Sequence, residues 1–140
     1  FTIPLARLVG PAGHVVAVDI QAGMLAAVAR KARAQGVSER IRPCLVSPYS
    51  LGRHPAADFI LAFWVVHEVP DQRSFLAEVC SLLKPEGVFL LVEPRGHVGE
   101  KSFLRTVQNA ADAGLVVKGA PEIRLSRSVL LARKEGASRS

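Results

Sequence analysis

The 140 residues are 49% hydrophobic and 21% charged, which supplies a packed core of single-domain size and excludes a compositionally disordered chain. Net charge is +6 and the pI about 10.0. The basic residues are scattered, with Arg30, Lys31 and Arg33 on one helical stretch and Arg124, Arg127, Arg133, Lys134 and Arg139 near the end. No aromatic residues interleave with them as a base-stacking platform requires, so they read as solvated faces and nucleic acid is not the expected partner.

In chain order, residues 1–9 form a short apolar helical segment in which Pro4 is tolerable only within a first turn. Gly10-Pro11-Ala12-Gly13 stops it. Residues 14–19 then read as a strand whose unbroken apolar run, Val15 to Val18, suits a parallel strand covered on both faces. That strand ends in Asp19. From Ala22 the period changes, with Leu25, Val28, Ala29 and Ala32 at i, i+3, i+4 and i+7 and Gly36 placed as the helix C-terminal glycine. Residues 41–46 are a second strand, closed by Ser47-Pro48-Tyr49-Ser50.

Asp58 leads into a third buried strand over 59–63, and residues 64–71 connect it to the next helix. The run 59–66 is the longest apolar stretch, well short of the roughly 20 residues that cross a bilayer, so no membrane partner is expected. Asp71 is placed to cap a helix whose apolar face is Phe75, Leu76, Val79, Leu82 and Leu83. Lys84-Pro85-Glu86-Gly87 ends that helix, and a fourth strand over 88–92 closes on Glu93-Pro94. A helix over 100–113 presents Phe103, Leu104, Val107, Ala110 and Ala111. Residues 115–118 and 128–133 read as two last strands, too close in sequence for a crossover helix and therefore antiparallel. Residues 135–140 are expected to be a flexible tail. The alternation predicts a single α/β domain over 1–140, Rossmann-like and doubly wound, with a mostly parallel sheet and a C-terminal antiparallel hairpin.

In such a sheet ligands bind outside the carboxyl ends of the strands. Those ends carry Asp19-Ile20, Ser47-Pro48-Tyr49, Ala62-Phe63-Trp64 with His67-Glu68, and Glu93-Pro94-Arg95. A carboxylate, small polar groups and aromatic surface on one rim suit a nucleoside-like ligand. Asp19 alone reads equally as a ribose ligand or as a cap on the following helix. His67 is either a general base or a structural histidine, and Glu93 is either a rim carboxylate or a backbone partner. His67-Glu68 is not a zinc motif, because position 71 is Asp71 and Pro70 breaks the helix. His14, His54 and His97 read as surface or loop residues, and no metal cluster is expected. Cys44 and Cys80 lack CxxC spacing and read as reduced thiols, which points to a cytoplasmic setting.

Three passages carry a family resemblance. They are Val16-Ala17-Val18-Asp19-Ile20 with Met24-Leu25, then 57–61 through Val66-His67-Glu68-Val69-Pro70-Asp71, and Leu82-Leu83-Lys84-Pro85-Glu86-Gly87 running into Leu90-Leu91-Val92-Glu93-Pro94. Over about residues 1–95 the chain resembles a class I S-adenosylmethionine-dependent methyltransferase of the ubiquinone/menaquinone small-molecule branch. The resemblance implies S-adenosylmethionine as cofactor and methyl transfer to a small-molecule acceptor. It implies that Asp19 binds the ribose hydroxyls, that Ile20 packs on adenine and that Met24 lies at the adenine edge. Ser47, followed by Pro48, stands where the family usually has an aspartate for the adenine amino group. Ala62 and Phe63 are implied to face the methionine moiety.

The family's first central strand and its glycine-rich loop have no counterpart in the 140 residues. An N-terminally truncated chain is one expectation, and two part-sheets with unpaired inner edges are its consequence. If the chain is complete, a second copy is a source for the missing element, which makes a homo-oligomer an expectation. Two rivals remain open: a degenerate cofactor-binding module without turnover, and an NAD-dependent oxidoreductase, which also binds ribose through an acidic residue.

Overall fold

In the computed structural model, which describes residues 1–136, six strands form two separate sheets. The expected tail therefore falls mainly on 137–140, outside the described residues; Glu135 and Gly136 form a turn. The chain divides into two compact units, Phe1–Leu51 and a second that begins at Gly52.

The first unit runs α1 (Thr2–Leu8), β1 (Val15–Asp19), α2 (Ala22–Ala34), a 3-10 turn (Ser38–Arg40) and β2 (Ile41–Leu45). β1 and β2 are parallel, in register from Val15 opposite Ile41 to Asp19 opposite Leu45. Alternation sends Val15 and Ala17 to one face, where they pack with Ile3 and Val28 on buried Ala6, Ala32, Val37 and Ile41. Val18, on the opposite face, is exposed. Coverage of both faces, expected from the apolar run, is thus not what β1 has within its own unit. α2 ends as its sequence dictates. Gly36 takes φ +72°, Val37 N–H donates to Ala32 O and Gly36 N–H to Arg33 O, the paired bonds of a Schellman motif.

The second unit runs β3 (Ala57–Phe63), α3 (Gln72–Leu82), β4 (Leu83–Pro94), α4 (Glu100–Asp112), β5 (Leu115–Gly119) and β6 (Ser126–Arg133). Its sheet order is β3-β4-β6-β5. β3 and β4 are parallel, and β6 is antiparallel to both β4 and β5. The terminal hairpin therefore forms as expected, and its second strand is the one that docks on β4. Strand β4 starts directly after α3, earlier than the turn-like Lys84-Pro85-Glu86-Gly87 implies. The ladder explains the difference: Ala57 pairs with Leu83 but Phe59 with Val88, so residues 84–87 leave the regular register while remaining extended. Gly87 is required there, since a Cβ would lie 2.8 Å from Ala57 O.

The core of this unit includes Leu76, Val79, Phe89, Leu91, Leu115 and Leu131, each at most 1% exposed. Two basic residues correct the solvated-face expectation. Arg133 is buried and donates from Nη1 to Leu83 O at 3.2 Å, and part-buried Arg127 donates from Nε to Val98 O at 3.0 Å. Cys80 is a buried free thiol, pushed above its ordinary range by desolvation, with Arg133 acting weakly in the opposite sense. Cys44 is free and only partly buried. Among the described residues no helix is long and apolar enough to cross a membrane.

Candidate functional site

In the first unit Asp19 closes β1, and its carbonyl accepts Val46 N–H at 3.0 Å, which brings the ends of β1 and β2 together. Its carboxylate Oδ1 accepts Gln21 N–H at 2.9 Å. The helix cap itself is Gln21, which makes no side-chain cap bond. Asp19 therefore shapes the turn into α2 with one oxygen and leaves Oδ2 without a protein partner among the described residues. Ile20 and Met24, which follow Asp19 at the start of α2, are each 53% exposed. Ser47 is exposed, and its Oγ accepts Tyr49 N–H at 3.2 Å, so the Ser47-Pro48-Tyr49 turn is self-braced.

In the second unit the ends of β3 and β4 are stitched by Trp64 N–H donating to Val92 O at 2.7 Å. Ala62 is buried at 4% exposure. Phe63 stacks on Trp64 with ring centroids 5.3 Å apart. Trp64 holds φ at +59°, a conformation that costs a bulky residue about 1–3 kcal/mol. Its indole Nε1 donates to Ser126 Oγ at 3.0 Å, which fixes the strained position.

Just beyond, a 3-10 turn (Val66–Glu68) presents His67. Its Nδ1 lies 3.3 Å from Glu93 Oε1, and its Nε2 lies 3.8 Å from the exposed carboxylate of Glu68. The His97 ring is parallel to His67 within 3° at 6.3 Å. Glu93 is 1% exposed. Alternation puts it on the face of β4 that carries Phe89 and Leu91, and its Oε2 has no hydrogen-bond partner among the described residues. Leaving a buried acceptor unmatched costs about 1–3 kcal/mol, so native folds retain such groups sparingly. In the tautomer whose Nδ1–H donates to the carboxylate, Nε2 is the nitrogen that can accept a proton.

A cleft of about 650 Å³ opens between the first turn of α4 and residues 120–128. Ser126, which anchors Trp64, lines it. Among the described residues no group of three or more His, Cys, Asp or Glu is arranged to hold a metal.

The structure thus joins His67 to Glu93, which the sequence offered only as separate candidates, stacks His97 beside His67, and ties the rim residue Trp64 to Ser126. Strand alternation was the available signal for Glu93, because it puts a carboxylate in line with Phe89 and Leu91. No local signal marks Ser126, whose role depends on the β4–β6 register.

A family profile described as a methyltransferase domain matches residues 1–91. The demethylmenaquinone methyltransferase of Lactobacillus johnsonii is 28% identical over 120 residues, covering 79% of this chain and 48% of that protein. The chain therefore spans about half the length of that curated relative. Among solved structures, a SAM-dependent methyltransferase from Aquifex aeolicus superposes with a TM-score of 0.79 at 21% identity, covering 92% of this chain and 73% of that one. An O-methyltransferase from neocarzinostatin biosynthesis, in complex with S-adenosylmethionine and 2-hydroxy-5-methyl naphthoic acid, gives 0.67 at 22% identity, covering 86% and 41%. These structural likenesses bear on the fold, a mixed α/β sheet with an antiparallel end.

Proposed function

The chain belongs to the methyltransferase-domain family, and from that premise we propose that it transfers a methyl group from S-adenosylmethionine to a small-molecule acceptor. The observation that carries this reading is the end of β1. There a carboxylate with one oxygen uncommitted among the described residues is followed in sequence by two apolar side chains, Ile20 and Met24, that are both half open to solvent. A ribose offers hydroxyl donors and adenine offers a flat apolar face, and this surface answers both.

The roles divide by unit. In the first, Asp19 takes the ribose hydroxyls, Ile20 and Met24 take the adenine, and the Ser47-Pro48 turn offers backbone and hydroxyl groups to its edge. The second unit, taken by itself, offers Phe63 and the backbone at Ala62 as a surface for a methionine moiety, and His67, oriented through Nδ1 by Glu93, as the group that takes the proton an acceptor loses. The acceptor's electron pair forms the new bond to the methyl carbon. When bound, S-adenosylmethionine would supply the methyl group from its sulfonium and keep the old carbon–sulfur pair on sulfur. Because the sulfonium is already activated, alignment and water exclusion supply most of the rate.

A small acceptor is supported by the quinone-type relative and by the naphthoic acid held in the O-methyltransferase. Calorimetric titration with S-adenosylhomocysteine and, separately, with NAD tests the reading. Binding of the former with a flat NAD titration is expected. NAD binding alone turns the site into that of an oxidoreductase. Cofactor binding without S-adenosylhomocysteine release for any acceptor leaves a module without turnover.

A further inference from the structure

We propose that the cleft between α4 and the β5–β6 connection is the acceptor-binding site, and that it takes an organic monoanion, a carboxylate on an apolar body. The proposal rests on the methyl-transfer reading for its functional role, while its ligand class rests on the cleft alone. The volume, about 650 Å³, lies inside the roughly 300–1,000 Å³ typical of small-molecule sites.

Three arginines line it: Arg95, Arg124 and Arg127. Arg95 Nε donates to Ser126 O and Arg127 Nε to Val98 O, each at 3.0 Å. Two guanidinium planes are therefore pinned to backbone carbonyls through Nε, which leaves their terminal nitrogens for a ligand. Among the described residues none of the three arginines pairs with a carboxylate within 4.0 Å. A fixed guanidinium fork matches a carboxylate in two parallel hydrogen bonds.

The sign and size of the charge narrow the class. Glu100 and Glu122 also line the cleft, so three positive side chains meet two negative ones on the lining itself, with buried Glu93 behind Arg127 across the strands. The N-terminus of α4 carries no side-chain cap and adds a fraction of a positive charge. That balance favours a monoanion and opposes a polyphosphate. The remaining lining includes Phe103, Ile123 and Leu125, which suits an apolar body. Leu125 is 66% exposed at φ +60°, strained backbone that presents an apolar side chain to solvent.

The register ties this cleft to the candidate base. Glu93 lies opposite Arg127, and Pro94 opposite Ser126, across β4 and β6; directly opposed residues have Cβ atoms about 4.5–5.5 Å apart. Arg127, which lines the cleft, is therefore the cross-strand neighbour of Glu93, the carboxylate that holds His67.

Calorimetry on the whole chain with 2-naphthoate and its neutral isostere 2-naphthamide tests the proposal. Naphthoate is expected to bind at least tenfold more tightly than the amide, and more weakly as salt rises. Arg124→Gln, which removes no hydrogen bond seen in the fold, should reduce naphthoate affinity about tenfold, while Glu122→Gln should increase it. That gain cannot arise from misfolding. Equal binding of acid and amide, or no response to both substitutions, overturns the ligand class. Discriminating binding in a protein that does not bind S-adenosylhomocysteine overturns the acceptor role and the methyl-transfer reading together. S-adenosylhomocysteine binding without discrimination sinks the cleft proposal alone.

Discussion

Asp19 has two separable jobs, and substitution can separate them. Its Oδ1 accepts Gln21 N–H at 2.9 Å in an exposed turn, whereas Oδ2 is the oxygen available to a ribose. Asp19→Asn preserves a carbonyl oxygen for Gln21 and removes the charge. A hydrogen bond to a charged group is worth about 1.5–3 kcal/mol and a neutral one about 0.5–1.5. The Asn variant should therefore lose about 1–2 kcal/mol of S-adenosylhomocysteine affinity, roughly 5–30-fold in Kd. Asp19→Ala should lose about 1.5–3 kcal/mol, roughly 10–150-fold. Because water replaces the Gln21 partner at an exposed site, unfolding stability should change by only about 0.5 kcal/mol in either variant. Isothermal calorimetry reads the first quantity and urea unfolding the second. Unchanged affinity with a lowered unfolding midpoint would refute the ribose role and leave Asp19 as a turn residue.

Other parts of the structure make equally definite statements. Gly87→Ala should destabilise the fold by about 1–3 kcal/mol in urea titration, as overpacking does, because its Cβ meets Ala57 O at 2.8 Å; an unchanged midpoint would mean that β3 and β4 yield freely there. Glu93→Gln keeps an oxygen for His67 and removes a charge whose second oxygen is unmatched. Turnover should fall about tenfold, the difference between a charged and a neutral bond, with the thermal midpoint nearly constant; unaltered turnover would dismiss the dyad. Asp71 caps α3 by accepting Ser74 N–H at 3.1 Å and Ser74 Oγ–H at 2.8 Å. The backbone bond first, then the hydroxyl, hold its carboxyl below the ordinary 3.8. A depressed folded value stabilises above the unfolded one and is lost as pH falls through the folded one, so Asp71→Ala should unfold earlier at pH 7 and converge with the parent in strong acid. Alkylation at pH 8 should modify part-buried Cys44 before Cys80, whose thiol burial keeps protonated.

The elements with clear periodicity were legible from sequence, for reasons the structure makes concrete. α2 announces itself by its apolar spacing and by Gly36, and the helix ends with the paired bonds that such a glycine permits. The closing hairpin was legible because no crossover fits between its strands. Residues 84–87 were half legible: the glycine and proline signal a break, but the register slip opposite Ala57 belongs to a partner strand more than twenty residues earlier. Two basic residues misled, while most of the others are exposed as expected. Charge composition cannot tell an arginine on a solvated helix from Arg133, buried and bonded to Leu83 O, or from Arg127, whose Nε is spent on Val98.

The least legible features are the ones that set the second unit's site apart. Among the described residues Trp64 and Leu125 are the non-glycine residues with positive φ, a conformation that neither residue type advertises. Both converge on Ser126: Trp64 through its indole hydrogen bond, Leu125 as the preceding residue. Glycine would relieve either position, but glycine at 64 would forfeit the Ser126 bond and glycine at 125 the exposed apolar side chain. Each strained residue costs about 1–3 kcal/mol, and the unmatched Glu93 oxygen adds a comparable penalty. Against a typical domain stability of about 5–15 kcal/mol, that is a large concession in a short stretch of structure. Packing the hydrophobic face of β4 does not require it, since Phe89 and Leu91 are fully buried on the same strand without strain of this kind. The concession is intelligible if Ser126, Trp64 and Glu93 are held for a ligand and a proton, with the strain repaid when the cleft is filled.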